Sequence, residues 1–250
     1  MSTTPEGRPF NGRSLVIIPT YNEVDNIEDV TQLTLAVDPM FDILFVDDNS
    51  SDGTQGRIGQ AQAAYPGRVH LLSRSGKLGL GTAYIAGFTW ALSRPYAHII
   101  EMDADLSHDP KDLARMTLLL RDHPVVVGSR YVQGGKTQNW GMLRKLISRS
   151  GSIYSRLVLG FNVRDMTAGY VGWRRQVLEA IGLDRVRSQG YGFQVELKFR
   201  AHRAGFPIHE MPIIFRDRIR GTSKMGANII VEAMRRVLLL RLAAARDPNF

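Results

Sequence analysis

Asp103 and Asp105 flank Ala104 at the end of the apolar run HIIEM at 98–102. Two like charges at the end of a buried run are costly without a compensating cation. A divalent metal is a natural partner, because hard cations take oxygen ligands and can bridge the oxygens of a diphosphate. The plain alternative is a solvated turn, with Asp109-Pro110 starting the next helix as cap and first residue. Other polar clusters repeat the pattern. Asp47-Asp48-Asn49-Ser50-Ser51-Asp52-Gly53 follows the run DILFV. It could accept hydrogen bonds from a base or ribose, or form only an Asx-turn and helix cap. Pro19-Thr20-Tyr21-Asn22-Glu23 follows the run at 15–18; Tyr21 could stack on a nucleobase and Glu23 accept hydrogen bonds, although a simple loop also explains them. Arg144 and Ser148 are four apart, so on a helix they share a face and could grip a phosphate. A solvated basic face is the alternative. Gly221-Thr222-Ser223-Lys224 reads as a loop that could close over phosphates and exclude water.

One tempting motif fails. Leu78-Gly79-Leu80-Gly81-Thr82-Ala83 has two glycines of a dinucleotide fingerprint, but Tyr84 stands where the third would be. It also follows the third apolar run rather than the first. It reads as a close turn that starts a helix.

The elements needed to position these groups are legible. Short apolar runs at 15–18, 42–46, 69–72, 98–102 and 125–127 suit strands buried on both faces. Helical patterns at 24–37, 54–64, 80–93 and 111–121 lie between them. The alternation predicts an α/β, Rossmann-like, mostly parallel central sheet with helices on both faces. Ligands then bind outside the carboxyl ends of the strands, where the polar clusters fall. The second half is less regular: helices at 143–159, 193–204 and 228–246, and strands at 169–173 and 207–215. The expected organisation is a flexible tail at 1–13, a catalytic domain at 14–226 and an amphipathic C-terminal helix and tail at 227–250.

The net charge is +8, with 32 Lys and Arg against 24 Asp and Glu. That balance favours polyanionic partners. Between His123 and Arg164 there is no acidic residue, while Arg130, Lys136, Arg144, Lys145, Arg149 and Arg156 fall there. No cysteine is present, which excludes disulfides and thiolate chemistry. The start lacks the apolar segment of a secretory signal, and no stretch is long enough to span a bilayer. The expected location is cytoplasmic, peripheral at the cytoplasmic face of a membrane.

Taken in order, PTYNE, DDNSSDGT, KLGLGTAYIAG, MDADLSHDP, GSRY, RKLISR and RIRGTSK resemble the dolichol-phosphate and polyprenyl-phosphate mannose synthases, members of the family 2 inverting glycosyltransferases. The resemblance runs from about residue 15 to 226 and implies a GT-A type fold. It implies that Pro19, Tyr21, Glu23, Val46 and Asp48 line the donor nucleotide pocket. Asp103, Ala104 and Asp105 would hold a divalent metal, Mg²⁺ or Mn²⁺, and the donor diphosphate. Arg130, Arg218 and Lys224 would reach the donor diphosphate or the acceptor phosphate, and Arg144 and Ser148 the acceptor phosphate. Some relatives carry a metal-binding Gln two positions after the motif; Ser107 stands there instead.

The implied reaction transfers mannose from GDP-mannose to polyprenyl phosphate by in-line displacement with inversion. Asp103, Asp105 and Arg130 are its expected catalytic residues. A phosphate monoester, with its second pKa near 6, is already an anion at neutral pH. No strong general base is required, and His108 is expected to be structural or to touch substrate. A lipid-linked acceptor implies contact with a membrane surface or a membrane-anchoring protein. The last helix offers an apolar face edged by arginines, suited to an interface or to docking on the domain. A glucosyl- or aminosugar-phosphate-lipid synthase is a close rival. A non-enzymatic phosphate- or nucleic-acid-binding protein explains the charge but not the paired carboxylates, and the usual RNA-binding motifs are missing, so no nucleic-acid partner is expected. A sugar-1-phosphate nucleotidyltransferase would open with a Gly-rich loop, which PTYNE is not.

Overall fold

A computed structural model of the chain describes residues 12–188, 190–217 and 227–247; the side chains of Tyr191 and of 227–233 lie outside that description. Strands β1 (Arg13–Thr20), β2 (Phe41–Asp47), β3 (Val69–Ser73) and β4 (Tyr96–Glu101) alternate with helices α1 (Ile27–Leu35), α2 (Thr54–Ala64) and α3 (Leu80–Leu92). There follow α4 (Asp112–Leu119), β5 (Val125–Ser129), β6 (Lys136–Gln138), α5 (Met142–Leu159), β7 (Val171–Arg174) and α6 (Arg175–Ala180). The chain ends with α7 (Tyr191–Arg203), β8 (Ile208–Pro212), β9 (Ile214–Arg216) and α8 (Ala227–Arg246).

Seven strands form one sheet in the order β3-β2-β1-β4-β7-β5-β8. All neighbours are parallel except β7, which runs antiparallel to both β4 and β5. The mostly parallel sheet with helices on both faces is therefore as expected. Alternation along the strands sorts the core. Leu15 and Ile17 of β1 face a cluster with Tyr84 and Phe88 of α3 and Phe193 and Leu197 of α7. Val16 and Ile18 face the other side, against Ile27 and Val30 of α1 and Leu113 and Met116 of α4. A third cluster joins α5, α7 and α8 through Leu159, Phe199, Val237 and Leu240.

Several boundaries differ from expectation. Arg13, expected in the tail, opens β1 and forms a two-pronged ion pair with Asp42. The N-terminal helix begins at Ile27 rather than 24, because residues 22–26 form the cleft loop and its turn. The strand expected over 207–215 is two strands. After Pro212 the chain leaves the main sheet, and β9 pairs with β6 in a separate two-stranded ribbon. β6 and α6 are too short for periodicity to reveal. Asp109 caps the first turn before α4, its Oδ1 accepting the Lys111 N–H at 3.1 Å.

Candidate active site

The carboxyl ends of β1, β2, β4 and β5 open onto a cleft of about 450 Å³, a volume suited to a small-molecule substrate. Pro19, Tyr21 and Glu23 line it from the loop after β1, and Asp48 from the loop after β2. Asp103, Ala104, Asp105 and His108 line it after β4, Arg130 after β5, and Arg144 and Ser148 from α5. Thus the structure brings to one wall system eleven of the residues singled out in the sequence. Arg218 and Lys224, with the loop 221–224, lie outside the described residues. Val46 corrects the expectation: its side chain is fully buried and does not line the cleft. Side chains alternate along a strand, and Val46 falls on the α3 face of the sheet with Leu15 and Ile17.

The loop carboxylates do different work. Asp47 is consumed by the fold, accepting from Thr20 Oγ1, Ser50 N–H and hydroxyl, and Gln55 Nε2 at 2.6–2.9 Å. Asp48 binds the Arg74 guanidinium at 2.6 Å and the N–H groups of Leu78 and Gly79 at 3.1 and 3.2 Å. It thereby fixes the turn that starts α3. Gly79 sits there at φ +100° and ψ 152°, a region essentially closed to side-chain-bearing residues. Lys77, on the same turn, places its ammonium 4.0 Å from the Tyr21 ring centre.

At the paired carboxylates the backbone is strained. Leu106 adopts φ +58°, costly for a non-glycine residue. The fold in Leu106 lets Asp105 Oδ1 accept the Ser107 N–H at 3.0 Å. Ser107 itself is buried and does not reach the cleft. His108 is buried against Tyr170, ring centres 4.7 Å apart, and its Nδ1 accepts the Asp103 N–H at 3.2 Å. Burial pushes the His108 pKa down to about 4. At neutral pH it is an uncharged brace for Asp103, although its Nδ1 lies only 3.8 Å from the Asp103 carboxylate.

Behind the motif, Glu101 is fully buried and accepts from Trp173 Nε1 at 2.8 Å and Gln194 Nε2 at 2.5 Å. Burial raises its pKa to about 7. Lys198, also fully buried, has its pKa lowered by burial to about 8, and donates to the carbonyls of Met166 and Ala168. That tie holds the segment carrying Thr167 and Gly169, both on the cleft wall.

Arg130 is fixed by a buried ion pair and a hydrogen bond to the cleft wall. Its Nε and Nη2 donate to Asp165 at 2.7 and 2.6 Å, its backbone N–H to the same carboxylate at 2.9 Å, and Nη2 also to Thr167. Arg144 donates to Asp217 at 2.7 Å and lies 4.1 Å from the Trp140 ring centre. Ser148 accepts a hydrogen bond from the Tyr131 hydroxyl at 2.8 Å. Trp140 Nε1 and Arg144 Nε are N–H donors without a hydrogen-bond partner among the described residues. The cleft lining therefore combines carboxylates with a cationic, donor-rich set. Asp165, Trp140, Gln194 and Phe215 are functional candidates that sequence reasoning missed. None belongs to a local motif, and only Trp140, beside the basic helix, carried any signal.

Asp103 and Asp105 offer hard oxygen ligands at an open cleft. Among the described residues no cluster of three or more His, Cys, Asp or Glu could hold a metal alone. Such a donor set fits Mg²⁺ or Mn²⁺, which commonly bind through one or two carboxylates with the rest supplied by substrate phosphates and water.

The chain is 49% identical over 233 residues to an undecaprenyl-phosphate mannosyltransferase of Micrococcus luteus, covering 93% of this chain and 95% of that one. It is 46% identical over 226 residues to a polyprenol monophosphomannose synthase of Mycolicibacterium smegmatis, covering 90% and 85%. Among solved structures it is similar to glucosyl-3-phosphoglycerate synthase from Mycobacterium tuberculosis in complex with Mn²⁺, UDP and glucosyl-3-phosphoglycerate. That match has a TM-score of 0.65 at 18% identity and covers 93% of this chain and 80% of the other. At that identity the likeness concerns the fold, which is of GT-A type. Residues 15–182, from the first core strand through the segment behind Arg130, match the glycosyl transferase family 2, and with the carboxylate-and-cation cleft in place this chain belongs to that family and is a glycosyltransferase.

Proposed function

We propose that this glycosyltransferase moves mannose from GDP-mannose to a polyprenyl phosphate with inversion, giving polyprenyl-phosphate-mannose and GDP. The carrying observation is the mixed lining of one cleft: Asp103 and Asp105 share it with Arg130, Arg144 and Ser148. A diphosphate with its cation suits the carboxylates and a second phosphate the cationic set. The similarity, over nine-tenths or more of this chain, to a mannosyltransferase and a monophosphomannose synthase supports the sugar and the acceptor class.

The acceptor phosphate oxygen attacks the anomeric carbon as the bond to the leaving GDP oxygen breaks. Pro19, Tyr21, Glu23 and Asp48 border the space for the nucleotide. Asp103 and Asp105 would hold Mg²⁺ or Mn²⁺, which supplies charge stabilisation to the departing diphosphate. Arg130, fixed by Asp165, keeps its charge at the cleft without reorganising. Arg144 and Ser148 hold the acceptor phosphate, already anionic near neutral pH. His108 stays neutral and braces Asp103. No helix among the described residues is long and apolar enough to cross a membrane. Because the proposed acceptor is lipid-linked, the reading puts the protein peripherally at the cytoplasmic face of a membrane, on the surface or held by an anchoring protein.

The test is transfer of labelled mannose from GDP-mannose to a short polyprenyl phosphate, with and without Mg²⁺ or Mn²⁺, and with UDP-glucose as competing donor. Metal-dependent transfer from GDP-mannose, lost in Asp105→Ala, supports the reading. Preference for UDP-glucose overturns the donor assignment.

A further inference from the structure

The charged groups of the cleft suit a diphosphate, its cation and a second phosphate, and none of them is matched to the sugar. A sugar is neutral and covered with hydroxyls. It is read best by neutral groups that can both donate and accept hydrogen bonds. Two such groups line the cleft and take no part in the assignments above: Tyr84 of α3 and Gln194 of α7. The Tyr84 ring stacks on that of Phe193, the residue before Gln194, with centres 6.0 Å apart and planes 6° from parallel. Both groups lie close to the carboxylates at the end of β4. Gln194 bonds Glu101 directly. The Tyr84 hydroxyl has its pKa pushed well above the usual value by burial and by the charges of Asp103, Glu101 and Asp105, so it remains an O–H.

The two groups are prepared in opposite ways. Tyr84 is 1% exposed, and its hydroxyl has no hydrogen-bond partner among the described residues. A buried hydroxyl left unpaired is costly to the fold, and phenylalanine would fill the same space without that cost. Gln194 is instead fixed at both ends. Its Nε2 donates to Glu101 at 2.5 Å, and its Oε1 accepts from Lys198 Nζ at 3.3 Å. A carboxylate at one end and an ammonium at the other forbid an amide flip, which would set oxygen against oxygen and N–H against N–H. One amide hydrogen and one lone pair of Oε1 are left over, with no partner among the described residues. Gly169, also on the cleft wall, keeps the space beside the amide open. A Cβ there would stand 4.0 Å from Gln194 Nε2 and 4.0 Å from His108 Cε1.

We propose that the Tyr84 hydroxyl and the Gln194 amide form the part of the cleft that reads the hydroxyls of the transferred sugar. Glu101 and Lys198, neither of which lines the cleft, hold the amide in its one orientation. The ligand is a neutral hexose carried on a nucleoside diphosphate. The inference rests on the proposed reaction only for which hexose that is.

The experiment sets GDP against GDP-mannose on the purified full chain with Mg²⁺, by titration calorimetry and by transfer kinetics. Tyr84→Phe removes one hydroxyl that no other group of the protein uses. It should melt no lower than the wild type and bind GDP equally well, yet lose about 3–10-fold in kcat/KM for GDP-mannose, the worth of one neutral hydrogen bond. Gln194→Met should show the same split between GDP and GDP-mannose, although it melts earlier because Glu101 and Lys198 each lose a partner. Gly169→Ala has room for its methyl group, crowds the amide from the cleft, and decides for the amide where Gln194→Met does not fold. Donors whose mannose lacks one hydroxyl locate the contact: the deoxy donor that matters to the wild type should lose nothing further in Tyr84→Phe. Tyr84→Phe with GDP and GDP-mannose weakened equally, or with kcat/KM unchanged, overturns the proposal. Wild-type kcat/KM in Gly169→Ala overturns the part given to Gln194. The binding arm needs no acceptor, so a wild type without transfer counts against the proposed reaction and leaves the split in binding to judge the site. Preference of the wild type for UDP-glucose sinks the donor assignment alone, and the same comparison with UDP and UDP-glucose then judges the site.

Discussion

Asp165→Asn tests how the cleft holds its central cation. The native carboxylate is wholly buried and accepts three N–H groups of Arg130, two from the side chain and one from the backbone. Asparagine keeps the size and removes the charge. Its amide offers one oxygen and one NH₂, so in either orientation an N–H is turned on an N–H of Arg130. Removing one partner of a buried ion pair costs about 3–5 kcal/mol. For a chain of this length each kcal/mol lowers the melting temperature by about 2–4 °C, so the variant should melt roughly 10 °C early. That remains inside a global stability of about 5–15 kcal/mol, so the variant can be assayed at 25 °C. Mannosyl transfer should fall by about 10–100-fold, since Arg130 loses the group that aims it. Calorimetry and transfer kinetics read the two effects separately. A double variant, Arg130→Met with Asp165→Leu, should regain much of the stability and none of the transfer. An Asp165→Asn protein that melts with the wild type would refute the buried-pair account, and an active double variant would refute the catalytic assignment of Arg130.

Three further outcomes follow from the geometry. His108→Ala should slow transfer about 10–100-fold by loosening Asp103, while the pH–rate profile near neutrality keeps its shape, because a histidine with a pKa of about 4 does not titrate there; a lost inflection would make it a general base. His98, buried and near Arg174 and Arg121, also has its pKa lowered to about 4, so its folded form resists protonation. The stability this implies is present above pH 6.5 and lost as pH falls toward 4, up to about 3 kcal/mol. His98→Gln should flatten that part of a plot of urea midpoint against pH, and an unchanged slope would contradict it. Gly79→Ala forces a side chain into a backbone region that excludes it and should cost about 1–3 kcal/mol, measured by thermal melting, with a raised KM for the donor as the Asp48 contacts shift.

Local chemistry was legible in the sequence because each polar cluster directly follows its strand. Asp48, Asp103, Asp105 and Arg130 could be placed at strand ends from the alternation of apolar runs, and the cleft gathers them there. What escaped depends on distance in the chain. Asp165 lies 35 residues from Arg130 and belongs to no motif; only the closed fold makes it the partner. The resemblance implied Val46 beside the donor nucleotide, but strand alternation turns its side chain into the core. The pair Asp47 and Asp48 held more carboxylate than a turn needs, yet Asp47 is spent on tying its own loop. The segment of α5 read only as a basic helix, and periodicity alone does not say which side of it faces water.

The position of β7 bears on the order in which the protein is made. Residues 13–101 alone supply four adjacent parallel strands, β3-β2-β1-β4. β5 pairs with none of them. It joins the sheet only through β7, where Trp173 bridges Ile99 and Val125, and Gly172 bridges Ile100 and Val126. During synthesis at about 5–20 residues per second, the carboxylate-bearing half is therefore complete several seconds before its neighbour can attach. Through that interval β4 presents an open hydrogen-bonding edge, the sort of template on which chains mispair. Gly172 must then slide in where even a methyl group would meet Leu120 and Met116 at 2.8 and 2.9 Å. Arg130, Arg144 and Ser148 all follow the first four strands in the chain, so the nascent chain owns the carboxylates of the cleft well before it owns these cationic and hydroxyl groups.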